Sequence, residues 1–133
     1  MWYYLVSLIV TEFIVMKIFE DENGLYIFDM DDYTTGASYL VRRKNNDVDA
    51  SRKFTNIACI RFQQNGTIPD NGVNGVTNEA MLSVLIHRTK ILNEKLPCDE
   101  NEAAITLMEE ALFLFEERTQ KRKEKGVEGR YEK

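Results

Sequence analysis

Arg118 and Arg122 stand four residues apart in a stretch free of helix breakers. On a helix that spacing places two guanidinium forks on one face, one turn apart, where they can grip two phosphates or one pyrophosphate bidentately. From Arg118 to Lys125 five basic residues (Arg118, Lys121, Arg122, Lys123 and Lys125) face one acid, Glu124, in a chain whose net charge is -5. Cations near a helix C-terminus are also favoured by the macrodipole, by about 0.3–1 kcal/mol each, and Lys would serve that purpose as well as Arg. Glu117 and Lys121 can form an intrahelical pair beside them. A solvated helix end and a phosphate clamp both fit these residues.

Other chemistry is thinly supplied. His87 is the single histidine and falls inside a helical pattern, where a satisfied or exposed side chain is the expectation. Cys59 and Cys98 lie far apart without metal-ligand spacing, so a reduced chain in the cytoplasm is the simplest reading. Asp29, Asp31 and Asp32 lack the glycine and distal glutamate of a calcium loop and read as a solvated loop. Neither a metal nor a cofactor is called for. Glu109 and Glu110 could serve an enzyme acting on nucleotides, but no nucleophile and base accompany the basic end. Val73-Asn74-Gly75 lacks the Lys-Ser/Thr of a P-loop, and a turn with helix entry accounts for it. The acidic balance speaks against duplex nucleic acid and against a cationic membrane-binding surface.

The elements that position these residues read as α+β: an N-terminal antiparallel sheet followed by a hairpin of two helices, in 133 residues that afford a single domain. Residues 1–15 are almost uncharged and too short to span a bilayer, and read as an extra strand or as a leader before a start at Met16. The sheet half runs over 16–64. Phe13 to Phe19 reads as a strand apolar on both faces, hence central or covered. Asn23-Gly24 predicts a tight hairpin to a partner strand from Leu25 to Phe28. Ala37 to Arg42 is a third strand, and Arg43 to Arg52 a polar, mobile loop. In the fourth strand Phe54, Ala58, Ile60 and Phe62 are expected on one face, with Ile57, Cys59 and Arg61 on the other.

A turn-rich connector, 65–76, hands the chain to the helical hairpin, 77–133. Thr77 is the N-cap of a helix reaching about Asn93, and Leu96-Pro97-Cys98 breaks it. Asp99 with Glu102 makes a capping box for a second, long helix, with Ala104, Met108, Ala111 and Phe115 along its apolar stripe. Because apolar residues stop at Phe115 and nothing breaks the helix before Gly126, the ten residues from Glu116 to Lys125 are expected to project, roughly 15 Å at 1.5 Å per residue.

Four blocks in order carry a resemblance: Asp70 to Leu82, Cys98 to Ala103, Leu107 to Leu112, and Arg118-Thr119, Arg122-Lys123 with Gly126 to Gly129. Together they resemble the helical hairpin of the phage Thoeris anti-defence sponge family, related to that of the anti-CBASS sponges. The resemblance implies a non-catalytic homo-oligomer, built from dimers and often a hexamer, in the bacterial host. It would enclose a cyclic ADP-ribose isomer and withhold it from its effector. It also implies Arg118 and Arg122 on the pyrophosphate and Asn101 near a ribose. Ile91 and Leu92 stand where family members often place Phe, so Tyr39 or Phe62 of the sheet is the candidate ring against adenine. Some members bind cyclic di- or trinucleotides at a second site, for which Asn74, Gly75 and Asn78 are the candidates here. A purely structural or protein-binding module is the rival reading.

Overall fold

A computed structural model describes residues 16–30, 36–46, 53–64 and 72–127. The chain divides into two compact units, 1–63 and 64–133. Four strands followed by two helices confirm the α+β arrangement: β1 (Met16–Glu20), β2 (Leu25–Asp29), β3 (Ser38–Lys44), β4 (Phe54–Arg61), α1 (Asn78–Lys95) and α2 (Asp99–Glu124).

The first unit is an antiparallel meander in the order β1-β2-β3-β4. Turn chemistry fixes its first hairpin. Asp21 Oδ1 accepts the amides of Asn23 (2.8 Å) and Leu25 (3.0 Å), and Gly24 adopts φ 86°, a left-handed conformation that suits glycine. The Asn-Gly pair therefore closes a slightly longer loop than a two-residue turn, with the Asp21 amide donating to the Leu25 carbonyl at 3.0 Å. β3 runs on through Arg43 and Lys44, which were expected in a loop, because both pair with β4 opposite Thr55 and Phe54. The Asn45 amide then donates to the Lys53 carbonyl at 2.9 Å. Among the described residues β1 is an edge strand with all five residues exposed, not a central one. The expected residues 13–15 of that strand, and residues 31–35 and 47–52, lie outside the described residues.

Two irregularities in register decide which side chains share a face. Val41 pairs with Ala58 while Arg42 pairs with Asn56, so Ile57 is an extra residue in β4. Phe54 thereby lands on the face opposite Ala58, Ile60 and Phe62, correcting the expected grouping. Simple alternation could not show this, since one inserted residue inverts everything before it. Phe54 instead packs edge-on against Tyr26 (5.1 Å between centroids) and Phe28 (5.6 Å). A second shift, between Lys17 and Phe19, brings Lys17 and Glu20 to one face, where they pair at 3.1 Å. On a regular strand, residues three apart point to opposite faces.

The second unit is an antiparallel helical hairpin. Thr77 caps α1 as expected, its hydroxyl accepting from the Ala80 amide at 3.1 Å. The N-cap of α2 is Cys98, not Asp99: the Sγ accepts from the Asn101 amide at 3.4 Å, and Asp99 becomes the first helical residue. Asn93 Oδ1, accepting from the Cys98 amide at 3.0 Å, ties the end of α1 to that cap. Two cross-links set the register of the helices. Lys90 Nζ pairs with Glu109 Oε1 at 2.6 Å, and Thr119 donates its hydroxyl to Glu79 Oε1 at 2.8 Å. Ala104, Ile105, Met108, Ala111, Leu112 and Phe115 of α2 are partly covered, and Ile86 of α1 is buried. Because Thr119 still meets α1, the projecting end of α2 is shorter than its composition implied: the hydroxyl contact extends the packing one turn beyond Phe115.

Ala37 and Ile86 are the buried apolar residues among those described, whereas Val84, Leu96, Leu107, Phe113 and Leu114 are each at least 60% exposed. The hairpin thus carries apolar stripes on its outside as well as its seam. No described helix is long and apolar enough to cross a membrane.

Candidate functional site: a basic groove on the second helix

Near the end of α2 the side chains of Leu114, Glu117, Arg118, Lys121, Arg122 and Lys125 line a groove of about 350 Å³. Leu114 and Arg118, and likewise Glu117 and Lys121, are one turn apart, so helical periodicity alone builds this lining. Lys121 Nζ binds Glu117 Oε1 at 2.8 Å. That hydrogen bond, with the Glu117 charge, raises the Lys121 pKa above its ordinary value. Lys121 is thereby engaged within its own helix. Arg118 has no hydrogen bond or ion pair among the described residues and stands exposed at the groove.

Arg122 is held differently. The helix ends in a turn in which the Gly126 amide donates to the Lys123 carbonyl (3.0 Å) and the Val127 amide to the Arg122 carbonyl (3.0 Å). This is the Schellman pattern, and it requires the left-handed φ of 70° at Gly126. The turn brings the Val127 carbonyl back over the helix, where it accepts from Arg122 Nη2 at 2.9 Å. This bond ties the guanidinium fork to the turn that ends the helix.

The other expected site residues fall elsewhere. Asn101 is in the first turn of α2, partly covered. It lies 17 residues before Arg118, roughly 26 Å at 1.5 Å per residue along one helix. One protomer does not bring the two together. Tyr39 and Phe62 do meet: their rings are 5.8 Å apart, edge to face, on the sheet surface opposite Phe54. Asn74 has a structural task, its side chain accepting from the Gln64 amide (2.9 Å) and donating to the Gln64 carbonyl (2.8 Å), which closes the connector like a backbone pair. Gly75 precedes the cap, and Asn78 is the first residue of α1. Glu109 is committed to Lys90, away from the basic groove. Asp29 is buried and accepts from the Gly36 amide at 2.9 Å, which is loop anchoring; Asp31 and Asp32 lie outside the described residues. Cys59 and Cys98 are free and exposed.

A second groove, of about 510 Å³, was not anticipated as a unit. Ser83, Val84, His87, Arg88, Ile91, Leu92 and Lys95 line it along the outside of α1. Its signal was available: Val84, Arg88, Ile91 and Lys95 recur at helical spacing, mixing aliphatic stems with basic heads. His87, expected to be satisfied or exposed, is exposed on its rim.

The second unit is thus a helical hairpin with a groove lined by four basic side chains at the end of its second helix. Residues 57–120 match the family model described as "Acb2/Tad1, hairpin domain". A protein of Bacillus phage SBSphiJ7 named "Thoeris anti-defense 1" is 41% identical over 78 residues, 58% of this chain and 54% of that protein. The chain therefore spans about half the length of the relative it matches. Over its hairpin half, the chain is thus similar both to the Acb2/Tad1 hairpin domain and to a phage protein named for anti-defence against Thoeris.

Proposed function

We propose that this protein is a phage anti-defence sponge that acts inside the bacterial host by binding, without cleaving, a cyclic ADP-ribose isomer. Arg118 and Arg122, one turn apart on an open groove, carry this reading: one fork stands unengaged among the described residues and the other is fixed by a carbonyl. Two such forks match the two phosphates of a pyrophosphate. The acid that lines the groove, Glu117, is bound to Lys121, so the groove offers binding groups in place of a general acid and base.

The site is completed between copies of the chain. Asn101 and Arg118 lie too far apart on one α2 to hold the same small ring, whereas a partner's α2 running the opposite way brings its first turn to this basic end. The exposed Leu107 and Leu114, on the same side of α2 as Arg118, supply apolar area for such an isologous contact. Tyr39 or Phe62, whose rings meet on the sheet, is the proposed source of a stacking ring for adenine.

The test is direct. After incubation with the cyclic ADP-ribose isomer made by a bacterial TIR-domain enzyme, the protein is denatured and the supernatant chromatographed. Intact ligand in stoichiometric yield is expected, and a cleaved product would establish an enzyme instead. Mixed oligomers test the shared site: Asn101→Ala and Arg118→Ala/Arg122→Ala chains, each weak alone, regain one good site per heterodimer when co-refolded. No regain on mixing means each chain binds by itself.

A further inference from the structure

We infer that Gly126 and the Val127 carbonyl are positioning elements of the anion site: the left-handed turn they form after α2 holds the Arg122 guanidinium ready for phosphate. This rests on the binding role proposed for Arg122 and adds a residue to it that touches no ligand. The turn and the arginine are joined twice, through the Arg122 carbonyl, which accepts from the Val127 amide at 3.0 Å, and through the side chain, whose Nη2 donates to the Val127 carbonyl at 2.9 Å. The second bond spans five residues and needs the reversal that Gly126 provides at φ 70°. Arg122 is partly covered, whereas Arg118, a turn earlier, is exposed.

An arginine free in water loses much of its rotameric freedom when it closes on an anion, and a fork already tethered loses less. Gly126 is suited to a clean test, because a Cβ built there meets nothing within 4 Å. Any effect of a substitution then comes from the backbone conformation, which a β-branched residue resists and Asn tolerates.

The experiment is titration calorimetry of the full chain with the TIR-made cyclic ADP-ribose isomer. Gly126→Val is expected to weaken binding roughly tenfold, equivalent to about 1.4 kcal/mol, and Gly126→Asn to restore most of it. In an Arg122→Ala background, Gly126→Val should change affinity no further. Unchanged affinity in Gly126→Val, or the same loss with and without Arg122, overturns the positioning role while leaving the basic groove as the site. Unchanged affinity in Arg122→Ala removes the binding reading itself, and the positioning role with it.

Discussion

The sheet and the helical hairpin both carry arginines, but they engage them in different ways. Arg42 lies over the Phe28 ring at 5.4 Å and donates its Nε to Asn56 Oδ1 at 3.1 Å, while Lys17 sits 5.7 Å from the Tyr26 ring and pairs with Glu20. These cations stabilise a cluster of three rings on a sheet that has little interior of its own. In the hairpin, Glu117 binds Lys121 and the terminal turn binds Arg122, leaving Arg118 exposed beside them. A cation whose partners are all internal is part of the fold. Under the proposed function, the exposed Arg118 beside an Arg122 steadied by the terminal turn is the pair that meets a ligand.

The largest expected effect separates the two sets. Replacing Arg118 and Arg122 together by Ala removes two charge-assisted contacts of about 1.5–3 kcal/mol each, a loss of two to four orders of magnitude in affinity. Thermal unfolding should shift by no more than about 1 kcal/mol, since Arg118 is exposed and Arg122 gives up one hydrogen bond to the terminal turn. Arg42→Ala should do the reverse. It loses a cation–π contact and a hydrogen bond, together about 1–2 kcal/mol of sheet stability, with affinity unchanged. If Arg42→Ala weakens binding as strongly as the helical pair does, the contrast between the halves fails.

The fold was legible in the sequence where local chemistry decides it. Asn23-Gly24, Thr77, Leu96-Pro97 and Gly126 each mark a boundary through their own backbone preferences, and the structure puts a turn, cap, break or stop at each. What stayed hidden depends on pairing between distant residues. Alternation along β4 gave no sign that Ile57 is extra, and only the pairing with β3 reverses the face of Phe54. Cys98 displaced Asp99 as the cap because Asn93 fixes the Cys98 amide from the preceding helix. For the site, helical spacing was enough to pair Arg118 with Arg122. It could not show that Asn101, on the same helix, is out of their reach within one chain, since that follows from the length of α2.

Smaller effects refine the contrast within each half. Thr77→Ala removes the acceptor for the Ala80 amide and should cost about 1 kcal/mol of hairpin stability, visible as a lower unfolding midpoint. Thr119→Val removes the hydroxyl that binds Glu79 while keeping the side-chain volume. If that link only sets helix register, unfolding shifts slightly and affinity holds. A clear loss of affinity would mean that the register of α1 against α2 shapes the basic groove.

The smallest expected effect concerns Glu20, whose carboxyl is held below its ordinary pKa first by the hydrogen bond from Lys17, then by that from Tyr26 and by the Lys17 charge. A carboxylate lowered in the folded state adds stability that is complete above its unfolded value and disappears as pH falls through the folded one. The Lys17–Glu20 pair is exposed and screened, so the contribution is slight. Glu20→Gln should therefore leave stability nearly unchanged at neutral pH and flatten a small part of the acid limb in a pH series of unfolding midpoints. An equal change in that limb from Glu117→Gln would place the acid sensitivity in the hairpin, where Lys121 is the group whose pKa is raised. Lys121 itself contributes with the opposite sign: its share persists below the unfolded lysine value and is lost only as pH rises through the elevated one. The sheet pair is then read at acid pH and the hairpin lysine at alkaline pH, and a single midpoint series over both limbs distinguishes them.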